Sequence, residues 1–366
     1  MNRSRRAADR DVTALRRATR RPRRRTALAL LAPRVLVASL ALGSVSVGAV
    51  AAPSPARAST PASTAARAQG GRWAPVKTLF AGRGALLPAV SCASAELCVA
   101  VGARGSVGIA VSGARPWSSP VVLDHGGGLA SVSCVASGFC EAVGASAYLG
   151  SRGATYERRK GRWSAGPSTE SALAGVSCAS ATFCAGVDDL SPRGHGFAFD
   201  GKRWSSPVSL VASADALSCP TTRFCAALSQ SGKVLYDKNG SWSKATSIDP
   251  SGTLVAVSCA SASFCVALDA SGNALTYRHG KWSTPDAVDA SASLTGVSCP
   301  AATFCVAVDS SGAALAYDGS RWSSPRTVSA KVQFSSVSCP TTRFCAAVGE
   351  NSATTAVYAT TYTRAR

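Results

Sequence analysis

Apolar and polar positions recur along most of the chain in one pattern, seen most cleanly at Val297-Ser298-Cys299-Pro300-Ala301-Ala302-Thr303-Phe304-Cys305-Val306-Ala307-Val308. An apolar run ends at a cysteine, five residues intervene, and a second apolar run starts at another cysteine, which predicts two strands joined by a tight turn. A third apolar run follows, as in Ala313-Ala314-Leu315-Ala316-Tyr317, and then a Gly-containing turn leads to a tryptophan that opens a fourth. Second runs such as Cys265-Val266-Ala267-Leu268 are apolar on both alternating faces. A strand of that kind is buried on both faces, whereas a sheet with one wet face shows alternation.

The unit repeats seven times. Its cysteine pairs are Cys92/Cys98, Cys134/Cys140, Cys178/Cys184, Cys219/Cys225, Cys259/Cys265, Cys299/Cys305 and Cys339/Cys345, and the steps from pair to pair are 42, 44, 41, 40, 40 and 40 residues. Seven tryptophans run in parallel, from Trp73 to Trp322, at steps of 38 to 46 residues. Four short strands per repeat of about forty residues is the signature of a propeller blade. The expected fold is all-β: a seven-bladed β-propeller of four-stranded blades with one C-x5-C disulfide in each. Trp73 precedes the first cysteine pair, and no tryptophan follows Cys345. The ring is therefore expected to be closed by the N-terminal strand, Arg72 to Phe80, as the outer strand of the last blade.

Charge divides the chain before the repeats begin. Residues 1–58 hold thirteen arginines against Asp9 and Asp11, so +11 of the net +20 lies there and +9 remains for residues 59–366. The Arg-rich start, the apolar run from Val35 to Ala52 and the small-x-small site Ala56-Arg57-Ala58 have the order of a secretory signal peptide. Retention as a membrane anchor is the alternative. Residues 59–71 lack apolar periodicity and read as a flexible Ala/Ser/Thr/Pro linker, which leaves residues 72–366 as the folded domain. Export places the cysteines in an oxidising compartment, where structural disulfides form. Zinc knuckles use closer spacing than C-x5-C, and His125, His195 and His279 fall in separate repeats. No metal and no cofactor is expected.

The turns Asp200-Gly201-Lys202-Arg203-Trp204 and Asp318-Gly319-Ser320-Arg321-Trp322, with Tyr236-Asp237-Lys238-Asn239-Gly240-Ser241-Trp242, resemble degenerate Asp-box repeats. Such repeats occur in sialidase-like and photosystem-assembly-factor-like propellers, and the repeat also resembles secreted bacterial seven-bladed propellers. The resemblance covers roughly residues 72–366 and implies the fold. Sialidases of that group carry an arginine cluster and a Phe-Arg-Ile-Pro segment; this chain has no such segment, and Arg278-His279-Gly280-Lys281-Trp282 lacks the Asp of the box.

The recurring acids Asp188, Asp269 and Asp309 each follow a second strand, and Asp-x-x-Gly turns account for two of them. Glycoside hydrolysis needs paired carboxylates over the substrate, and no such pair stands out. Uniform repeats gain a specific site where they stop being uniform. The segments Ala145–Tyr156 and Asp188–Phe197 are longer than their counterparts and supply Tyr148, Arg152 and His195 as candidate ligand-binding residues, able to hold a glycan or a peptide. The basic cluster Arg158-Arg159-Lys160-Gly161-Arg162 lacks the stripe of stacking aromatics that nucleic-acid binding requires. The functional expectation is an exported, monomeric, non-catalytic module that binds or scaffolds a glycan or protein in the envelope or outside the cell, with neither nucleic acid nor stable membrane insertion after cleavage. A carbohydrate-active hydrolase or lyase and a purely structural surface protein are the alternatives.

Overall fold

The computed structural model describes residues 71–80, 89–102, 106–110, 117–123, 127–145, 152–190, 192–351, 353–354 and 356–364. The expected leader, nearly all of the linker, His125 and Tyr148 lie outside the described residues. The strands form seven antiparallel sheets, numbered here 1 to 7 in the order of their cysteine pairs.

Each sheet begins with the hairpin that the cysteines flank. In sheet 5 it comprises Leu254–Ser261 and Phe264–Asp269, and the third strand is Asn273–Arg278. Each disulfide joins the two cysteines of its own hairpin, Cys92 to Cys98, Cys134 to Cys140, Cys219 to Cys225 and so on through the series, and no cysteine is free. The Cα separations of 3.9–4.1 Å lie just below the usual lower bound of about 4.4 Å. The cysteines sit directly opposite each other, as in the register Cys178↔Cys184, beside the bulge that makes the turn.

Burial places these cysteines in the core. The second member of every pair, Cys98, Cys140, Cys184, Cys225, Cys265, Cys305 and Cys345, has no exposed surface at all. Each opens a second strand that is covered on both faces by neighbouring sheets, so its sulfur is core rather than part of any surface a ligand could reach. The disulfides therefore act on stability alone.

A belt of side-chain hydrogen bonds links sheet to sheet. The serine before the first cysteine accepts the cysteine N–H of the next sheet at 2.9 Å: Ser91 from Cys134, Ser133 from Cys178, Ser177 from Cys219, Ser218 from Cys259, Ser258 from Cys299 and Ser298 from Cys339. Ser338 then accepts from Cys92, also at 2.9 Å, and the series returns to its start. The Val-Ser-Cys motif is thus a repeated inter-sheet clasp, and each bond contributes about 1 kcal/mol.

The core lies between the sheets. Cys265, Val266, Ala267 and Leu268 are all fully buried, as are Val99, Ala100 and Val101 in sheet 1. Phe304, Val306 and Val308 of sheet 6 pack on Ala347 and Tyr362 of sheet 7, whose other face sets Phe344, Ala346 and Val348 against Val90 and Ala100 of sheet 1. Fully burying one such side chain is worth about 1.5–3 kcal/mol, so the packed faces dominate stability.

The expected plan of uniform four-stranded blades closed by one N-terminal strand is corrected in two respects. Sheets 4, 5 and 7 have five strands, because the fourth strand is broken into two short pieces. No single N-terminal strand closes sheet 7: Gly71–Trp73 pairs with the far end of Ala356–Arg364, and Lys77–Phe80 pairs separately with its near end. Pro75 and Pro285 lie in the gaps of sheets 7 and 5 and have no N–H to give a ladder, whereas sheet 4 breaks at Ser243-Lys244-Ala245 without a proline. In the gap, the hydroxyls of Ser205, Ser243, Ser283 and Ser323 accept the third-strand N–H groups of Ala198, Tyr236, Thr276 and Ala316 at 3.0–3.1 Å.

The turn before the tryptophan takes two forms. In sheets 3 and 6, Asp200 and Asp318 accept the N–H groups two and three residues on, and Gly201 and Gly319 have φ of 92° and 99°. In sheets 2, 4 and 5 two successive left-handed residues make a primed hairpin turn: Lys160-Gly161, Asn239-Gly240 and His279-Gly280, with φ near 50° and then 82–83°. The missing Asp of the fifth repeat therefore reflects a different turn.

Candidate functional site

Of the two candidates that can be placed, His195 is held by a polar chain that runs to the backbone of Gly153, the residue after Arg152; no hydrogen bond or ion pair is shown for the Arg152 side chain among the described residues. Asp188 ends the second strand of sheet 3 and is fully buried. Unlike Asp269 and Asp309, which accept N–H groups of their own turns, Asp188 holds a longer loop. Its Oδ1 accepts the His195 backbone N–H at 2.7 Å; its Oδ2 lies 2.9 Å from His195 Nδ1 and accepts the Ser171 hydroxyl at 2.6 Å. Nδ1 is thereby engaged and the ring is fixed, with 31% of the side chain left exposed.

Ser171 carries the chain into sheet 2. Its carbonyl accepts Thr169 Oγ1 at 2.7 Å, and Thr169 forms a backbone bridge with Gly153. Any Cβ at Gly153 would strike Thr169 Oγ1 and the Ser171 carbonyl, so only glycine allows this approach. Arg152, the next residue, is exposed. Sequence reasoning selected both loops but missed Ser171, which lies on the connection between the sheets and has no motif to mark it.

Exposed aliphatic side chains lie on the segments flanking His195. Val208 is opposite Gly196 and Ser209 is opposite His195, so the Val208 side chain lies on the other face of the sheet from the imidazole. Leu190, Val208 and Val211 are 49%, 48% and 59% exposed, three of the five large apolar side chains on the described surface. A fixed imidazole in a loop whose flanking segments expose aliphatic groups suits a segment that offers an apolar side chain and a polar backbone.

The central channel offers less. A cavity of about 210 Å³ runs between the first strands, lined by small residues such as Ala130, Gly175, Ala256 and Gly296, and Asp215 is its one acid. Burial raises the Asp215 carboxyl above the ordinary carboxylate range, against the opposing Gln230 side chain, and Asp189 raises it further. A paired-carboxylate site is not what this lining provides.

Another acid is buried between sheets 2 and 3. Glu141 is fully buried, and neither carboxylate oxygen has a hydrogen-bond partner. Burial pushes its carboxyl up to about 9, and Glu157 on the neighbouring strand adds to the rise; Thr155 and the Trp204 indole oppose it weakly. The sequence signal was present: the residue after the second cysteine is Val or Ala in the other six repeats.

No family model matches the chain, and no curated protein does. Solved structures do. YCF48 bound to D1 peptide has a TM-score of 0.61 at 15% identity, over 80% of this chain and 96% of that one. YCF48 from Cyanidioschyzon merolae gives 0.57 at 13%, over 78% and 98%. The WD40 β-propeller domain of Doa1 gives 0.59 at 11%, over 80% and 98%. The chain has a β-propeller fold. At these identities the likeness shows the fold alone, and Asp-box or sialidase-like membership does not follow from it.

Proposed function

We propose that this chain is an exported, monomeric, non-catalytic propeller that binds a protein segment, and that the segment docks on the rim of sheets 2 and 3. The observation that carries this reading is the partly exposed His195 ring, held by buried Asp188 in a loop whose flanking segments also expose Leu190, Val208 and Val211. Exposed apolar side chains gathered beside oriented polar groups are the usual mark of an interaction site. The structural likeness to YCF48, which is described bound to a peptide, supports a peptide over a glycan as the partner.

The test is a peptide array and a glycan array probed in parallel with the purified, oxidised domain. The reading expects saturable binding to peptides. It also expects Val211→Asp and His195→Ala each to weaken binding several-fold, as loss of a principal contact does, while Ser311→Ala leaves it unchanged. Binding confined to glycans, or unaffected by both changes, would move function away from this rim.

A further inference from the structure

The rim of sheets 2 and 3 leaves a second feature unused, an open groove on the circumference between sheets 6 and 7. It encloses about 410 Å³ and is floored by Val306, Ala314 and Leu315. Half-buried indoles stand on its two walls, Trp322 on one and Trp73 on the other, with Arg326 and Arg72 at its mouth.

The groove is open for an identifiable reason. Between sheets 5 and 6 the corresponding cleft is bridged by Arg278, whose guanidinium lies 4.7 Å from the Phe264 ring centre and donates to Tyr317 Oη and the Gly319 carbonyl at 3.0 and 2.9 Å. Arg159 bridges sheets 2 and 3 in the same way, over Phe139 and onto the Gly201 carbonyl. In sheet 6 this position is Asp318, whose carboxylate folds back on the N–H groups of its own turn. No arginine occupies that position to cross to sheet 7. The outer strands of sheet 7 also come from opposite ends of the chain, so no turn like those at Gly240 or Gly280 covers the wall.

We infer that this groove is a second docking site, for an extended acidic peptide that adds to the outer edge of the Gly71–Trp73 strand. Three observations select that occupant. Gly71–Trp73 pairs only with Ala356–Arg364, so its other edge has no strand partner among the described residues, and such an edge accepts an added strand. A peptide paired there would direct alternate side chains toward the indoles and the aliphatic floor. Arg72 and Arg326 have no carboxylate partner among the described residues, whereas Arg321 is 3.7 Å from Asp318; unpaired guanidinium groups favour carboxylates.

The experiment measures fluorescence anisotropy of a short dye-labelled peptide alternating glutamate with leucine, using the oxidised domain. Its lysine counterpart, a version with alternate backbone amides methylated, and polygalacturonate as competitor complete the set. The acidic peptide should bind saturably, and Arg326→Glu, with an unchanged melting temperature, should weaken it about tenfold or more. Amide methylation should remove binding, and His195→Ala should have no effect, which separates this site from the one on sheets 2 and 3. Absence of saturable binding, equal binding of the lysine peptide, indifference to Arg326→Glu or to methylation, or full displacement by the polysaccharide would each overturn the proposal.

Discussion

Glu141 allows the most direct test of the packing described above. It occupies a column of Val and Ala between two sheets, has no hydrogen-bond partner for its carboxyl, and has its pKa raised from 4.5 to about 9, chiefly by burial. In the unfolded chain the carboxyl ionises near 4.5, while in the folded chain it stays neutral until near 9. Below pH 4.5 both states hold the proton, and the group adds no pH dependence. Between pH 4.5 and 9 only the unfolded state gains by ionising, so stability falls as pH rises. The loss is about 3 kcal/mol at pH 7 and about 6 kcal/mol by pH 9, at about 1.4 kcal/mol per pH unit. Domains are typically stable by only about 5–15 kcal/mol, so this one group sets much of the alkaline limit.

Glu141→Gln keeps the shape and removes the titration. Urea unfolding of the oxidised domain at a series of pH values, for wild type and variant, isolates the effect as a difference in which the other acids cancel. The two should be nearly equal at about pH 4, and the variant should gain about 3 kcal/mol over wild type by about pH 7. Parallel curves across this range would refute the reasoning, because they would mean that the folded carboxyl ionises as freely as the unfolded one.

Other expectations follow from the same structure. Ser338→Ala removes the acceptor for the Cys92 N–H and should cost about 1–2 kcal/mol in urea unfolding; Ser258→Ala should cost as much, since the clasp is repeated. Replacing both Cys299 and Cys305 by Ala should cost at least about 2 kcal/mol, the amount expected from opening so short a loop, and melting of the variant should show it. Asp309 is held above the ordinary carboxylate range by burial and by its neighbour Asp289, whose own carboxyl is lowered. Asp309 therefore withdraws stability as pH rises above 3.8, and Asp309→Asn should make thermal unfolding less sensitive to that rise.

Legibility in the sequence followed the range of the interaction. The hairpins, their disulfides and the doubly buried second strands are local, so cysteine spacing and an unbroken apolar run such as Cys265–Leu268 announce them. The split of the fourth strand was not legible, because it depends on serine hydroxyls reaching a neighbouring strand in place of backbone groups, and a two-residue strand leaves no period. The two turn chemistries could have been separated in advance, since Asn239-Gly240 and His279-Gly280 are dipeptides suited to left-handed pairs. The link from the backbone beside Arg152 to His195 passes through Ser171 and a Gly153–Thr169 bridge, and nothing in spacing alone brings those residues together. The Arg326 groove was missed for a similar reason: it arises from Asp318 standing where another sheet has Arg278.

The fate of the charged residues connects the turns to the surface. Among the described residues Glu141, Glu157, Asp188, Asp237, Asp249, Asp269, Asp289 and Asp309 are buried, and no lysine or arginine is. The asymmetry has a chemical origin. A ring of tight turns presents many backbone N–H groups, and a carboxylate can accept them, as Asp269 and Asp309 do, whereas lysine and arginine are donors only. Building turns of this kind therefore draws acids inward and leaves bases on the outside. A buried carboxyl that stays protonated, as Glu141 does at neutral pH, contributes no charge at all. The net +9 of residues 59–366 consequently understates how basic the outer surface is, a charge balance that favours encounter with anionic surfaces. Salt should slow that encounter at either docking site, because exposed charges are screened over about 8–10 Å at physiological ionic strength; the aliphatic contacts at Leu190 and Val211 should be far less sensitive.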